Sequence, residues 1–270
     1  MKKNTYWQDK IVLITGGSSG FGREIAEGFA REGAKIILAA LEPEILDAAV
    51  KEMRIKYPET YGFPVNITQE GDVQALFKYI CDHFGALDCL VNAAGRTDRG
   101  KIIDCTAEHF QKIMELNFIA LTRVTQHFLP LLLQTHGHII NIGSLASKAA
   151  SRWTGAYPAS KHAVAAYSQQ LRLELQDTGL KVLLVCPGPI QRETERLYPL
   201  EGLEDLPETA RRPGAGVKVK RIPPEKLVTQ ILRSAEKGLP EIVMPGKARF
   251  LFTICQLWPR LGDWLILKNT

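Results

Sequence analysis

Apolar positions along this chain follow two alternating rhythms. Short runs that are apolar almost throughout, at residues 10–15, 35–40, 62–66, 87–92, 138–143, 181–186 and 241–244, predict strands buried on both faces. Between them, apolar residues recur every three or four positions, which predicts helices at 20–32, from 43 onward, and at 69–84, 107–134, 157–177 and 226–237. Punctuation agrees with the periods. Gly33 closes the first helix, Pro43 suits the first turn of the second, and the long 107–134 stretch is interrupted near Asn117. Strands that alternate with helices in this way imply an α/β fold: a doubly wound, parallel, seven-stranded sheet of the Rossmann type with right-handed crossovers.

The rhythm fails between residues 187 and 224, and a loop this long in a compact domain is expected to be a lid or a local helical excursion. The lid, at 190–224, carries Leu197, Tyr198, Leu200, Leu203 and Leu206 among Glu201, Glu204, Asp205 and Glu208. An amphipathic cover over an apolar pocket suits a lipophilic substrate; a surface excursion packed for stability fits equally. Arg152 and Trp153, in the segment 145–154, read either as a grip on an acidic or planar substrate or as a rim salt bridge. Beyond the main domain (1–248) lies a tail at 249–270 with a helical moment. Arg249, Thr253, Gln256, Arg260 and Asp263 form its polar stripe. Phe250, Leu251, Ile254, Leu257, Trp258, Leu261, Trp264 and Leu265 fill the other face, and Pro259 divides the segment into two short helices. Packing on the protein itself or on a second subunit, and peripheral membrane contact, are both open.

Composition narrows the classes. A length of 270 residues suits one domain, and the net charge of +5 is spread among interspersed acids and bases. The one basic cluster, Lys218, Lys220 and Arg221, comes without a nucleic-acid-binding pattern, so no nucleic-acid partner is expected. Five cysteines, an odd number without CxxC or Cys/His ligand spacing, argue for no metal and for a reducing interior, with Cys81 and Cys186 as buried thiols. No apolar run precedes residue 11, so the expected location is cytoplasmic, with peripheral membrane contact left open.

Candidate chemistry sits at two places. The run Thr-Gly-Gly-Ser-Ser-Gly-Phe-Gly at 15–22 follows the first strand and opens the first helix. Gly16, Gly20 and Gly22 permit a tight turn and close approach of backbone N–H groups to a pyrophosphate, with hydroxyls available from Ser18 and Ser19. At the end of the second strand Ala40 stands where a carboxylate would bond a ribose 2′-hydroxyl, and Leu41 offers no arginine. Without that carboxylate, NADP(H) is favoured over NAD(H). Further on, Tyr157 and Lys161 occupy positions i and i+4 of a helix, so an ammonium stands beside a phenol. A fixed cation lowers the phenol pKa and makes tyrosine a usable acid/base.

With these motifs in order, residues 8–246 resemble the short-chain dehydrogenase/reductase family in its common single-domain form. The resemblance rests on the glycine run, on Asn-Ala-Ala-Gly at 92–95, on Asn117 and Ser144, on Tyr-Pro-Ala-Ser-Lys at 157–161, and on Pro187-Gly188. It implies a carbonyl/alcohol oxidoreductase with a nicotinamide cofactor, a small-molecule substrate and homo-oligomeric assembly, dimer or tetramer. Tyr157 would be the acid/base and Ser144 a donor to the substrate oxygen. Lys161 would bond the nicotinamide ribose, and Asn117 would hold a relay water. Cofactor contacts would come from Gly16, Ser18, Ser19, Gly20, Phe21, Gly22, Asn66, Ile67, Asn92, Ala93, Gly95, Pro187, Gly188 and Ile190, besides Tyr157 and Lys161. Three positions depart from the family pattern. Ala93 replaces a second asparagine, Asn66 replaces an aspartate, and Arg192 stands where threonine is usual, with Thr194 two residues later. A 3-oxoacyl carrier-protein reductase shares the same motifs, and a non-catalytic dinucleotide-binding regulator is the alternative from another class.

Overall fold

The computed structural model describes residues 5–192, 206–212, 214, 215, 217 and 219–268. Seven strands, β1 (Ile11–Thr15), β2 (Lys35–Ala40), β3 (Thr60–Pro64), β4 (Cys89–Asn92), β5 (His138–Ile142), β6 (Lys181–Pro187) and β7 (Glu241–Met244), form one parallel sheet. Their order is β3-β2-β1-β4-β5-β6-β7. The helices are α1 (Gly20–Arg31), α2 (Pro43–Lys56), α3 (Glu70–Phe84), α4 (Ala107–Met114), α5 (Ala120–Gln134), α6 (Tyr157–Glu174), α7 (Pro224–Glu236), α8 (Ala248–Leu257) and α9 (Pro259–Lys268).

Both faces of the sheet are dry. Along β1, Val12 and Ile14 point into a core shared with Ile25 and Phe29 of α1, Leu46 of α2 and Leu227 of α7. Leu13, between them, points into the opposite core with Leu76 of α3 and Val124 and Phe128 of α5. This alternation, repeated along β2 and β4, is why these strands read as uninterrupted apolar runs. Strand bounds shift where pairing overrides local pattern. The third strand begins at Thr60, earlier than its apolar run, because Ile36 to Ala40 pair with Thr60 to Pro64. It ends before Asn66, whose side chain turns back on its own loop.

The interruption in the long helix is a π-helical stretch, Glu115–Ile119, between α4 and α5. Pro259 does divide the tail, into α8 and α9. Cys186 is buried as expected, whereas Cys81 is only partly buried. Among the described residues, no helix is long and apolar enough to cross a membrane. Leu197, Tyr198, Leu200, Glu201, Leu203, Glu204 and Asp205 of the expected lid, with Thr194 and Lys218, lie outside the described residues.

Candidate active site

Strand order reverses between β1 and β4, and the crevice outside the carboxyl ends of such strands is where ligands seat in open α/β sheets. The turn after β1 is built without side chains. A Cβ on Gly22 would lie 2.2 Å from the Gly16 carbonyl oxygen, so the start of α1 closes directly onto the end of β1. Gly16, at φ +67°, touches the turn after β4, where a Cβ would come within 2.9 Å of the Ala94 Cα. Gly20, at φ +53°, faces open space. Ser19 caps α1 without a side-chain bond and the first turn holds no acid, so the positive end of that helix is left for a ligand. Ser18 is buried, Ser19 exposed, and Phe21 packs against the core beneath. A cradle floored by glycine and set at a helix N-terminus fits a dinucleotide pyrophosphate.

Around the turn after β4 the chain supplies its own scaffolding. The Thr15 hydroxyl accepts hydrogen bonds from the N–H groups of Ala93 (3.2 Å) and Ala94 (3.3 Å). Asn92 faces inward. Its amide nitrogen donates to Thr125 Oγ1 (3.1 Å) and Asn141 Oδ1 (2.9 Å), and Asn141 donates to Ser168 Oγ (2.9 Å). A buried polar row therefore ties β4, β5, α5 and α6 together. Gly95, at φ +157°, lies against Asn117 and Lys161: a Cβ there would be 3.0 Å from Asn117 Oδ1 and 3.8 Å from Lys161 Nζ.

Asn117 is 1 % exposed within the π-helical stretch. Its Oδ1 accepts from Arg96 N–H, while its amide donates to the Arg96 carbonyl and to Ser160 Oγ, at 2.9, 2.9 and 3.0 Å. The side chain is thus a clamp between the β4 turn and α6, with both amide protons used and one lone pair of Oδ1 occupied. Ser160, inside the Tyr-Pro-Ala-Ser-Lys run, passes the contact on by donating to the Tyr157 carbonyl at 2.7 Å.

Lys161 is 6 % exposed and donates to the Ile142 carbonyl at 2.8 Å, two residues before Ser144. Its Nζ lies 5.8 Å from the centre of the Tyr157 ring, on the same side of α6. Burial lowers its pKa from 10.5 to about 8. Ser144, just past β5, caps a short 3₁₀ turn: its Oγ accepts from Ala146 N–H while Ser147 Oγ accepts from the Ser144 N–H. Tyr157, Lys161, Ser144, Asn117 and Gly95 therefore meet at one end of the sheet.

Two supports carry no signature in the local pattern. Asp98, 7 % exposed, accepts from Ala156 N–H (2.8 Å) and Arg99 N–H (2.9 Å) and pairs with His109 Nε2 (2.8 Å). Gly155, at φ +49°, allows that approach, since a Cβ there would sit 2.1 Å from Asp98 Oδ2. The knot fixes the residue before Tyr157. Cys105 joins Asp98 and His109 in a group of donor atoms within 4.8 Å of one another. Arg99 reaches across to the Ala210 carbonyl (3.0 Å) and the Arg212 carbonyl (3.3 Å), seating the described part of the 190–224 segment.

Remaining candidates lie around the same crevice. Asn66 Oδ1 is taken by Thr68 N–H and Oγ1, at 3.1 and 2.7 Å, which leaves its amide nitrogen for a ligand, and Ile67 is buried beside it. Pro187 ends β6, Gly188 donates to the Met244 carbonyl (2.8 Å), and Ile190 bridges Ile222. Among the described residues Arg152 has no acidic partner; its guanidinium lies over the Trp153 ring, 4.3 Å from the centroid.

Comparison with known proteins agrees with this geometry. The family model described as short chain dehydrogenase matches residues 10–199. An oxidoreductase of Staphylococcus epidermidis is 32 % identical over 184 residues, covering 68 % of this chain and 79 % of that protein. The structure of a short-chain dehydrogenase from Streptomyces avermitilis superposes with a TM-score of 0.78 at 25 % identity, covering 96 % of this chain and 97 % of that one. An actinorhodin polyketide ketoreductase variant, solved with NADPH, gives 0.75 at 26 % identity over 87 % of this chain and 95 % of its own. The family model spans well over half of the sequence, and the chain belongs to the short-chain dehydrogenase family of oxidoreductases.

Proposed function

We propose that the protein interconverts a ketone or aldehyde and the corresponding alcohol, with Tyr157 as the acid/base. The observation that carries this is the buried Lys161 ammonium, held by the Ile142 carbonyl and next to the Tyr157 ring. A cation in that position favours the phenolate, so Tyr157 can give a proton to a carbonyl oxygen or take one from an alcohol. Ser144 donates to the same oxygen as its charge develops. When bound, the nicotinamide supplies or accepts the hydride. Lys161 orients its ribose, and Gly16, Gly20 and Gly22 hold the pyrophosphate. Asn117 would hold a relay water through the second lone pair of Oδ1, the first being taken by the Arg96 N–H.

NADP(H) is the preferred cofactor in this proposal, since Ala40 ends β2 and presents no carboxylate to repel a 2′-phosphate. A lipophilic substrate fits the apolar residues between 190 and 224, and homo-oligomeric assembly fits the family habit. Tyr157→Phe is expected to lower turnover by about 10²–10⁴-fold. NADPH affinity should stay within about twofold, the size of a few tenths of a kcal/mol. Following nicotinamide absorbance over a panel of aliphatic and aromatic ketones with both cofactors tests this. Full activity in the variant would overturn the role of Tyr157. Cofactor binding without turnover on any carbonyl would favour a regulator.

Likeness to a polyketide ketoreductase favours one second reading, reduction of a 3-oxoacyl thioester on a carrier protein. Turnover of the carrier-bound thioester well above that of the free ketone would select it.

A further inference from the structure

We propose that the α8–α9 hairpin is a membrane-seating element that lies in the headgroup layer of an anionic bilayer. The structure sorts the apolar residues of the tail into two sets that its helical period does not distinguish. Phe252, 9 % exposed, points inward and packs with Leu184, Cys186 and Val243, which fixes α8 to the sheet. Gly262 presses α9 back on α8, since a Cβ there would lie 2.6 Å from the Cys255 Cα. With both helices held, Phe250, Leu257, Trp258, Leu261, Trp264 and Leu267 face outward, from 46 % (Leu261) to 76 % (Phe250) exposed. Single exposed apolar residues are ordinary; six on one hairpin form a patch that marks an interaction surface. At the Pro259 elbow Leu257, Trp258 and Leu261 line one shallow, open hollow.

Charge identifies the partner. Exposed Lys247, Arg249, Arg260 and Lys268 stand against one exposed acid, Asp263, in the same segment. Two copies packed hairpin to hairpin would bring these cations together, whereas anionic headgroups would neutralise them. The exposed Trp258 and Trp264 suit the interfacial depth, and the Lys268 ammonium sits 5.0 Å over the Trp264 ring, its apolar stem available for the acyl boundary. Each helix has 10 residues, too few to span, so the hairpin lies along the surface.

The placement bears on substrate supply. α8 starts just past the carboxyl end of β7, where Gly188 bonds Met244, and Ala248 packs in one cluster with Leu145 and Ala149 beyond Ser144. The anchor is thus joined to the segment that follows the proposed substrate-oxygen donor, and a bilayer there would deliver a lipophilic ketone or alcohol. That delivery rests on the oxidoreductase activity proposed above; the membrane contact does not.

Full-length protein mixed with vesicles of equal phosphatidylcholine and phosphatidylglycerol should co-sediment, with tryptophan emission shifted to the blue. Pure phosphatidylcholine vesicles and high salt should weaken binding. Trp258→Ser with Trp264→Ser, and separately Arg260→Glu with Lys268→Glu, should each lower partitioning about tenfold or more. Unchanged circular dichroism would show that these exposed substitutions leave the fold intact. Wild-type protein left in the supernatant, or binding untouched by both pairs, would overturn the proposal. Equal binding to neutral vesicles would overturn the choice of anionic lipid. A wild-type dimer that the tryptophan pair converts to monomer, without vesicle binding, would assign the face to a second copy. Vesicle binding in a protein that turns over no ketone would sink the oxidoreductase reading and leave the anchor standing.

Discussion

Lys161 is under two opposed demands. Burial lowers its pKa from 10.5 to about 8, yet the proposed chemistry needs it charged beside Tyr157. At neutral pH it stays protonated and stabilises a phenolate; through about pH 8 and above it loses that proton, and with it the stabilisation. Alcohol oxidation should therefore decline above about pH 8, which a pH–rate profile checks. The folded pKa lies below the unfolded one, so the unfolded chain binds more protons between about pH 8 and 10.5, and stability rises with pH across that window. Below it the buried charge costs on the order of 3 kcal/mol. Lys161→Met removes this cost but strips the Ile142 carbonyl of its donor, worth about 1 kcal/mol. A net gain of about 1–2 kcal/mol in urea unfolding at pH 7 is expected, together with a turnover loss of about 100-fold or more. A less stable Met variant would contradict the account.

At the scale of elements, the β1–α1 junction shows how a helix is aimed. Gly22 lies at the third position of α1, and its contact with the Gly16 carbonyl sets how closely helix follows strand. Gly22→Ala should displace the start of α1 and raise the NADPH dissociation constant about tenfold or more, equivalent to 1.4 kcal/mol. Gly71→Ala, in α3 with nothing near the added methyl, should instead stabilise by about 0.5–1 kcal/mol. Fluorescence titration and thermal melts on the two variants separate the effects. The Asn117 interruption had a legible place but not a legible purpose. Its spacing marked a break in a long helix; the partners, Arg96 and Ser160, are 21 and 43 residues away. Likewise the tail's helices and their Pro259 break follow from local pattern, while the inward turn of Phe252 follows from where β6 and β7 end.

At the scale of the whole molecule, an acid-sensitive point among the described residues is His138, at the start of β5 and 1 % exposed. Its Nε2 meets the Tyr6 hydroxyl at 2.7 Å, and the rings of Tyr6 and Trp7 pack around it. Burial first, then the cations of Lys181 and Lys10, lower its pKa from 6.5 to about 3. The unfolded state thus binds more protons between those values, and stability present above pH 6.5 is lost as pH falls toward 3. His138→Leu should flatten the urea midpoint between pH 6.5 and 4, where the wild type declines by an amount on the order of 3 kcal/mol. An equally steep decline in the variant would place the acid sensitivity elsewhere.

What the sequence determined by itself is everything that depends on neighbours in the chain. Strand and helix periods, the glycine turn, and the Tyr157–Lys161 pair one helical turn apart follow from spacings of a few residues, which fix direction without knowledge of the fold. Only the tertiary structure decided that Asp98 would brace Ala156, 58 residues on, that Asn92 would face Asn141 rather than the crevice, and that Thr15 would hold the β4 turn. Those contacts exist because parallel strands lie side by side in the order 3-2-1-4-5-6-7, which places residues distant in the chain at one end of the sheet. A buried hydrogen bond between such residues is set by strand register and packing, and neither period nor composition records it.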